Sequence, residues 1–199
     1  AHWLLGTRPA LPDAVASFED ALTQWRAAED PIYEANTLSQ LGLLYVDIGD
    51  QAKALDYATK ALAIAQASKE RTTEAGALNA IGSVYNSFGD RRKAVEYFDQ
   101  ALILMRSSGD RAGEGNTLNN LGIAHAWMGE GRKALEYFDL AVEVYRDIQD
   151  RRRLATVTNN IGVTSGELGE NQTALENYQR ALPLHRELGN RVQEATTLN

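Results

Sequence analysis

The 199-residue sequence contains no cysteine, only four prolines and no apolar run long enough to cross a membrane. Without cysteine there can be no disulfide, no thiolate metal site and no cysteine nucleophile. A transmembrane helix needs about 20 consecutive apolar residues, so no membrane-spanning segment is predicted. The net charge of −7 argues against nucleic acid and anionic membranes as partners, because both select basic surfaces.

Residues suited to catalysis are also scarce. The three histidines are His2, His125 and His185, and none lies at a metal-ligand spacing. The sequence has no glycine-rich phosphate loop and no serine nucleophile elbow. We therefore predict that the chain is not an enzyme and has no cofactor or metal site. His125 is expected to be a core or interface residue.

What the sequence does contain is a repeat with a period of 40 residues and no gaps. Four copies share an aliphatic–glycine pair, a second glycine and two alanines at fixed spacing. These positions are Leu41-Gly42, Ile81-Gly82, Leu121-Gly122 and Ile161-Gly162; Gly49, Gly89, Gly129 and Gly169; Ala54, Ala94, Ala134 and Ala174; and Ala61, Ala101, Ala141 and Ala181. A fixed period of this size indicates a stacked array, in which each unit buries its apolar face against its neighbours.

Within one period, residues 110–150 predict two antiparallel helices, named A and B here. Asp110 is a suitable N-cap for helix A, which carries apolar residues at spacings of three and four and ends near Gly129. Helix B begins near Gly131 and ends before Asp150. Both helices are expected to run about 16–18 residues.

The glycine in the middle of each helix A costs about 1 kcal/mol relative to alanine, so it needs a compensating contact. We expect that contact to be a close approach of helix B, with Ala54, Ala94, Ala134 and Ala174 opposite the glycines. The large residues are then expected to fill the gaps between hairpins. These are Tyr45, Tyr85, Phe98, Phe138 and Tyr178.

In order and spacing, these positions resemble the tetratricopeptide (TPR) repeat. The resemblance is carried by Leu38, Leu41, Gly42, Tyr45, Gly49, Ala54 and Ala61 and by their counterparts one period later. The 40-residue unit is similar to the long-helix TPRs of kinesin light chains, Pins-type adaptors and bacterial arrays. In that bacterial group, the arrays often precede a caspase-like (CHAT) protease or a signalling ATPase. The resemblance implies an all-α fold: an α-solenoid of antiparallel helix hairpins stacked as a right-handed superhelix.

The period also divides the chain. We expect a single array fragment over residues 1–199, with a partial repeat at 1–30 and the start of a further repeat at 191–199. The full repeats are expected at 31–70, 71–110, 111–150 and 151–190.

In TPR arrays helix A lines the concave face, so the resemblance implies a peptide groove made of helix A residues. In the first repeat these are Asn36, Ser39, Gln40, Leu43 and Asp47. The remaining candidate site residues are Asn79, Ser83, Asn86, Asn116, Asn119, Asn120, Trp127, Asn159, Asn160 and Glu167. The asparagines recur in register, and an amide can pair with the backbone of an extended peptide. The alternative is that they bridge neighbouring A helices or face water. Trp127 is either an aromatic anchor for a partner or a packing residue.

The A helices lack basic residues, since no Lys or Arg occurs at 32–50, 72–90, 112–131 or 154–179. The Lys and Arg clamp by which some TPR domains bind acidic tails is therefore missing. We expect a neutral or basic extended segment as the partner.

The leading hypothesis is a protein–protein interaction scaffold that holds a peptide or partner domain in its concave groove. One alternative is the regulatory or sensor segment of a larger bacterial effector, a protease or signalling ATPase. Another is self-assembly through the solenoid ends, where Trp3, Leu4, Leu5 and Leu198 would make apolar contacts. We expect a monomer or a weak end-to-end oligomer, located in the cytoplasm.

Overall fold

The computed structural model describes residues 11–187, which form nine α-helices joined by short turns. The helices are α1 (Leu11–Ala27), α2 (Pro31–Ile48), α3 (Gln51–Ser68), α4 (Arg71–Ser87), α5 (Arg91–Ser108), α6 (Arg111–Trp127), α7 (Gly131–Asp147), α8 (Arg151–Glu167) and α9 (Asn171–Glu187). This part of the chain has no strand, and the predicted α-solenoid is confirmed. Helices α2, α4, α6 and α8 are A helices, and the odd-numbered helices are B helices. Trp3, Leu4, Leu5 and Leu198 lie outside the described residues.

The turns between helices are determined by caps at both ends. The Asp110 carboxylate accepts a hydrogen bond from the Gly113 amide at 2.9 Å, as predicted, and Asp50, Asp90 and Asp150 cap their helices in the same way. Each helix A ends at a glycine with a left-handed backbone, such as Gly129 with φ of +77°. Glycine adopts this conformation without a steric penalty, so the chain can reverse within two or three residues.

The glycine in the middle of helix A accommodates an aromatic ring, which differs from the prediction. A Cβ atom built at Gly82 would lie 2.6 Å from Cε1 of Phe98, and one built at Gly122 would collide with Phe138. Tyr178 covers Gly162 in the same way. The predicted close approach of helix B is present as well, since a Cβ would lie 3.0 Å from the Ala54 carbonyl oxygen at Gly42 and 3.2 Å from the Ala94 carbonyl oxygen at Gly82. The prediction did not include the ring, which needs the space that an absent Cβ leaves.

The large residues pack within their own hairpins as well as between hairpins. Phe98, Phe138 and Tyr178 cover the glycine of their own hairpin, and Phe98 and Phe138 also belong to a buried cluster that spans neighbouring hairpins. Tyr45 likewise stacks on Tyr57 of its own hairpin, with ring centroids 5.3 Å apart. Tyr85 stacks on its hairpin partner in the same way.

The apolar core runs along the array as two clusters of buried residues, and Tyr85 packs against both. His125 lies in this core at 2% exposure, which confirms that it is a core residue. Its ring stacks on Tyr137 with centroids 5.2 Å apart, and its Nδ1 lies 2.6 Å from a carboxylate oxygen of Glu130.

The A helices define one face of the array. Successive A helices contact each other, whereas each B helix packs mainly on the A helices before and after it. We call the surface of α2, α4, α6 and α8 the inner face. None of the helices within residues 11–187 is long and apolar enough to span a bilayer.

Candidate functional site

The inner face of the first three repeats contains a cleft of about 350 Å³ with an unusual share of amide side chains. It brings together Asn36 and Gln40 of α2, Asn79 of α4 and Asn116 of α6. We call it the amide cleft. Its remaining lining residues are small, apolar or acidic, and they are Ser39, Leu43, Thr72, Gly76, Ala80, Met105, Asp110, Ala112 and Gly113.

A second, smaller cleft of about 90 Å³ lies between α6 and α8 and contains the only tryptophan among the predicted site residues. It joins Trp127 to Asn160 and Glu167, with apolar walls that include Ile123 and Val163. We call it the tryptophan cleft. The Trp127 side chain is 55% exposed, so much of its ring is open to a partner.

One face of the Trp127 ring is covered by Arg91 from the start of α5. The guanidinium carbon lies 5.4 Å from the ring centroid, within the range of a cation–π interaction. Sequence reasoning missed this contact because Arg91 lies on a B helix, 36 positions before the tryptophan. Trp127 therefore has both a packing partner and an exposed surface.

Some of the asparagines that recur in register form hydrogen bonds between neighbouring A helices. The Asn120 amide donates to Oδ1 of Asn79 at 3.3 Å, and the Asn160 amide donates to Oδ1 of Asn119 at 3.0 Å. Each pair joins one A helix to the next, as the alternative interpretation expected. An amide has two N–H donors and an oxygen with two lone pairs, so each paired side chain keeps part of its hydrogen-bonding capacity.

The other predicted residues have different surroundings. Ser83 donates to the Asn79 carbonyl of its own helix at 2.9 Å. Asn116 accepts a hydrogen bond from the Tyr145 hydroxyl at 3.0 Å, and burial raises the pKa of Tyr145. Asn86 and Asn159 are buried at 8% and 4% exposure, so they present little surface to a ligand.

The two clefts also differ in charge. No Lys or Arg lines either of them. The carboxylate of Asp110 in the amide cleft already caps α6, whereas Glu167 in the tryptophan cleft is exposed. Within residues 11–187, no group of His, Asp or Glu side chains is arranged to hold a metal ion.

Small residues that sequence reasoning did not single out open the amide cleft. Gly76 has no atom within 4 Å of a built Cβ, and Thr72 lies one turn before it on the same face. Ala112 likewise lines the cleft from α6, whereas Met105 and Asp110 fill the space beside Gly113. The sequence did contain a sign of this cleft, because two small residues four positions apart on a helix, here Thr72 and Gly76, leave a gap beside the helix.

Antiparallel helix hairpins with a common inner face define a solenoid repeat protein. The sequence matches the tetratricopeptide repeat family over residues 11–67, 73–147 and 113–187. The chain belongs to this family. No curated protein matches it.

Solved structures show the same fold. BtubC (BKLC) from P. vanneervenii is 25% identical, with a TM-score of 0.76 over 90% of this chain and 75% of that one. A Rap protein complexed with competence and sporulation factor is 18% identical, with a TM-score of 0.86 over 94% of this chain and 52% of that one. The STAND protein PH0952 from Pyrococcus horikoshii, which has a TPR sensor, is 18% identical, with a TM-score of 0.76 over 90% of this chain and 28% of that one. The chain thus spans about half of the Rap protein and about a quarter of the STAND protein.

Proposed function

We propose that the chain is a protein-interaction module that holds an extended segment of a partner along its inner face. One observation carries this proposal: three successive A helices direct amide side chains into a single cleft of about 350 Å³. An extended peptide exposes unpaired N–H and C=O groups along its length, and an amide can both donate to and accept from them.

The tryptophan cleft extends the proposed path toward α8. A half-exposed indole beside apolar side chains is a typical anchor for a partner residue. Glu167 on the same wall favours a neutral or basic segment, because an acidic one would meet like charge. The Rap protein, solved with competence and sporulation factor, supports peptide recognition by this fold.

Calorimetry with acidic, neutral and basic peptides of equal length tests this proposal. We expect neutral or basic peptides to bind at least tenfold more tightly than acidic ones, about 1.4 kcal/mol. Asn36 is exposed and lines the amide cleft, so Asn36→Ala is expected to weaken binding while stability changes by less than about 0.5 kcal/mol.

The control is Gln100→Ala, which removes an exposed amide from a B helix and is expected to leave binding unchanged. Tight binding of an acidic tail would contradict the charge preference. Equal affinity of the Asn36→Ala variant and the unmodified chain would contradict the location of the site.

A second proposal is a sensor segment within a larger effector, supported by likeness to the STAND protein with its TPR sensor. The inner face would then pack on the chain's own effector, and hydrogen exchange of the A helices would be slower in a longer chain than in this array. A monomer or weak end-to-end oligomer, and a cytoplasmic location, stay predictions. Light scattering over a concentration series tests the oligomeric state.

A further inference from the structure

A cleft of about 540 Å³ lies between α7, α8 and α9 and shares no lining residue with the amide cleft or the tryptophan cleft. We call it the junction cleft, because it separates the third repeat from the fourth. Its size falls within the range of small-molecule sites, roughly 300–1,000 Å³. It is lined by Asp139, Val142, Glu143, Arg146, Leu154, Thr158, Ile161, Asn177, Arg180 and Leu184.

The junction cleft exists because the fourth repeat departs from the repeat pattern. One period earlier, the positions of Thr158, Asn177 and Arg180 are occupied by Leu118, Tyr137 and Leu140. Leu118 is buried, and Tyr137 packs against the core. The fourth repeat thus replaces a leucine and a tyrosine by smaller polar side chains, and the cleft lies beside them.

The other tyrosines at this position show which way the missing ring would point. The Tyr57 hydroxyl donates to a carboxylate oxygen of Glu19 on the preceding B helix at 3.5 Å. Asp99 stands to Tyr137 as Glu19 stands to Tyr57. Burial raises the pKa of Tyr137, and the nearby Asp99 raises it further. The counterpart of Glu19 and Asp99 is Asp139, which lines the junction cleft.

Polar groups of the junction cleft lack the partners that their counterparts have. Arg106 bridges to Glu114 at 2.8 Å, but Leu154 stands in place of that glutamate beside Arg146. Within the described part of the chain, neither Arg146 nor Arg180 makes a hydrogen bond or ion pair. Burial raises the pKa of Asp139, and Arg146 acts on that carboxyl only through its charge, which lowers the pKa and so opposes the rise.

Asn177 adds a polar side chain to the wall of the cleft. It is only 8% exposed, and its amide nitrogen donates to the Thr173 carbonyl at 2.9 Å. Its Oδ1 accepts no hydrogen bond from residues 11–187. An amide oxygen of this kind can accept a hydrogen bond from a ligand.

We propose that the junction cleft binds a ligand that carries both a phenol ring and a carboxylate. The ring lies beside Asn177, against Val142 and Ile161. The hydroxyl donates to Asp139, as Tyr57 does to Glu19. The carboxylate pairs with the unpartnered guanidinium groups of Arg146 and Arg180 at the rim. Either a free hydroxyphenyl carboxylate or the C-terminal tyrosine of a polypeptide has this chemistry.

An NMR titration of the array separates these features. We expect 4-hydroxyphenylacetate to bind at least tenfold more tightly than phenylacetate, which lacks the hydroxyl, or p-cresol, which lacks the carboxylate. The tripeptide Gly-Gly-Tyr tests the polypeptide source. Binding of either 4-hydroxyphenylacetate or the tripeptide supports the site, and their relative affinity identifies the source.

Two variants locate the binding. Asn177→Tyr supplies the ring from within the chain, so we expect at least a tenfold loss of affinity for 4-hydroxyphenylacetate, with an unchanged circular dichroism spectrum. Arg180→Leu restores the residue of the preceding repeat, and we expect it to weaken 4-hydroxyphenylacetate but not p-cresol. Arg92→Leu, an exposed arginine on α5, is the control and should change neither.

Three results would overturn the proposal. The first is no binding of any of these phenolic carboxylates. The second is equal affinity for 4-hydroxyphenylacetate and phenylacetate. The third is unchanged affinity in both Asn177→Tyr and Arg180→Leu, which would place the ligand elsewhere.

Discussion

The second and third repeats meet in a filled junction, whereas the third and fourth repeats meet in an open one. The filled junction contains Leu118, Tyr137 and a buried glutamate, Glu114. The open junction has Thr158 and Asn177 in the first two places and a leucine in the third. The helices nevertheless begin and end at equivalent positions in both repeats. The caps and the small residues therefore set the repeat geometry, and the residues between hairpins can vary without changing it.

The ion pairs differ between the two junctions in the same way. Glu114 is 6% exposed and accepts hydrogen bonds from Arg106 at 2.8 Å and Arg111 at 2.5 Å. Burial alone would raise the pKa of Glu114, but the two arginines outweigh it and hold the pKa below its ordinary value. At the open junction Leu154 ends this series, so Arg146 lacks the glutamate that Arg106 has.

The largest effect on stability is expected when a residue of the filled junction is replaced by its counterpart from the open one. Tyr137→Asn removes a ring that packs against the core and stacks on His125 at 5.2 Å. We expect a loss of about 2–4 kcal/mol in the free energy of unfolding, since truncating a packed aromatic residue removes both buried area and contacts. Urea unfolding measures it. Tyr33→Asn, at a tyrosine that is 54% exposed, should cost less than half as much, and equal costs would contradict the comparison.

A smaller effect is expected when the filled junction loses its charge. Glu114→Gln should cost about 1–2 kcal/mol at neutral pH, because hydrogen bonds to a charged group are lost. In the folded chain the pKa of Glu114 lies below its ordinary value of 4.5. The stabilisation is therefore present above about pH 4.5 and is lost as the pH falls through the folded pKa.

Unfolding curves of the Glu114→Gln variant and the unmodified chain should thus converge in acid. Glu34→Gln is the control, because within residues 11–187 Glu34 forms an ion pair with Arg26 only and should show a smaller difference. A gap between the two curves that stays constant down to pH 3 would argue against the ion pair as its source.

The smallest effect concerns a glycine that the third repeat does not have. Gly166 stands where Ala126 stands one period earlier. A Cβ built at Gly166 meets only the Ala174 Cβ, at 3.9 Å. Gly166→Ala should therefore stabilise the array by about 0.5–1 kcal/mol through helix propensity. Gly122→Ala is the matched contrast, because its Cβ would collide with Phe138 and should destabilise. Thermal unfolding of both variants checks the opposite signs.

Much of the fold could be predicted because the positions that determine it repeat. Asp110 and Gly129 mark helix ends through local backbone chemistry, and the structure places the ends there. The contact of Gly122 with Phe138 was not predicted, because the periodicity shows that a residue is small without showing which partner fills the space. The Asn120–Asn79 pair was foreseen only as one of two alternatives, since a helix position does not determine whether an amide turns toward a neighbouring helix or a ligand.

The clefts were the least predictable part. The amide cleft depends on Gly76 and the other small residues beside it, and the junction cleft depends on what the fourth repeat lacks. A departure such as Asn177 is visible in the sequence, but the volume that it leaves depends on three helices at once. The contact of Arg91 with Trp127 was missed for a related reason: a long side chain on one helix can reach the surface of another helix far away in the sequence.

The two- and three-residue turns between helices also bear on how the protein is degraded. A protease prefers exposed loops, and the turns within residues 11–187 are too short to provide an extended substrate. Cleavage must then wait for a hairpin to open, which in a stacked array with nearest-neighbour contacts costs least at the ends. Limited digestion should consequently shorten the chain in steps of about one repeat, and a ligand bound between repeats would delay the step that releases its own hairpin.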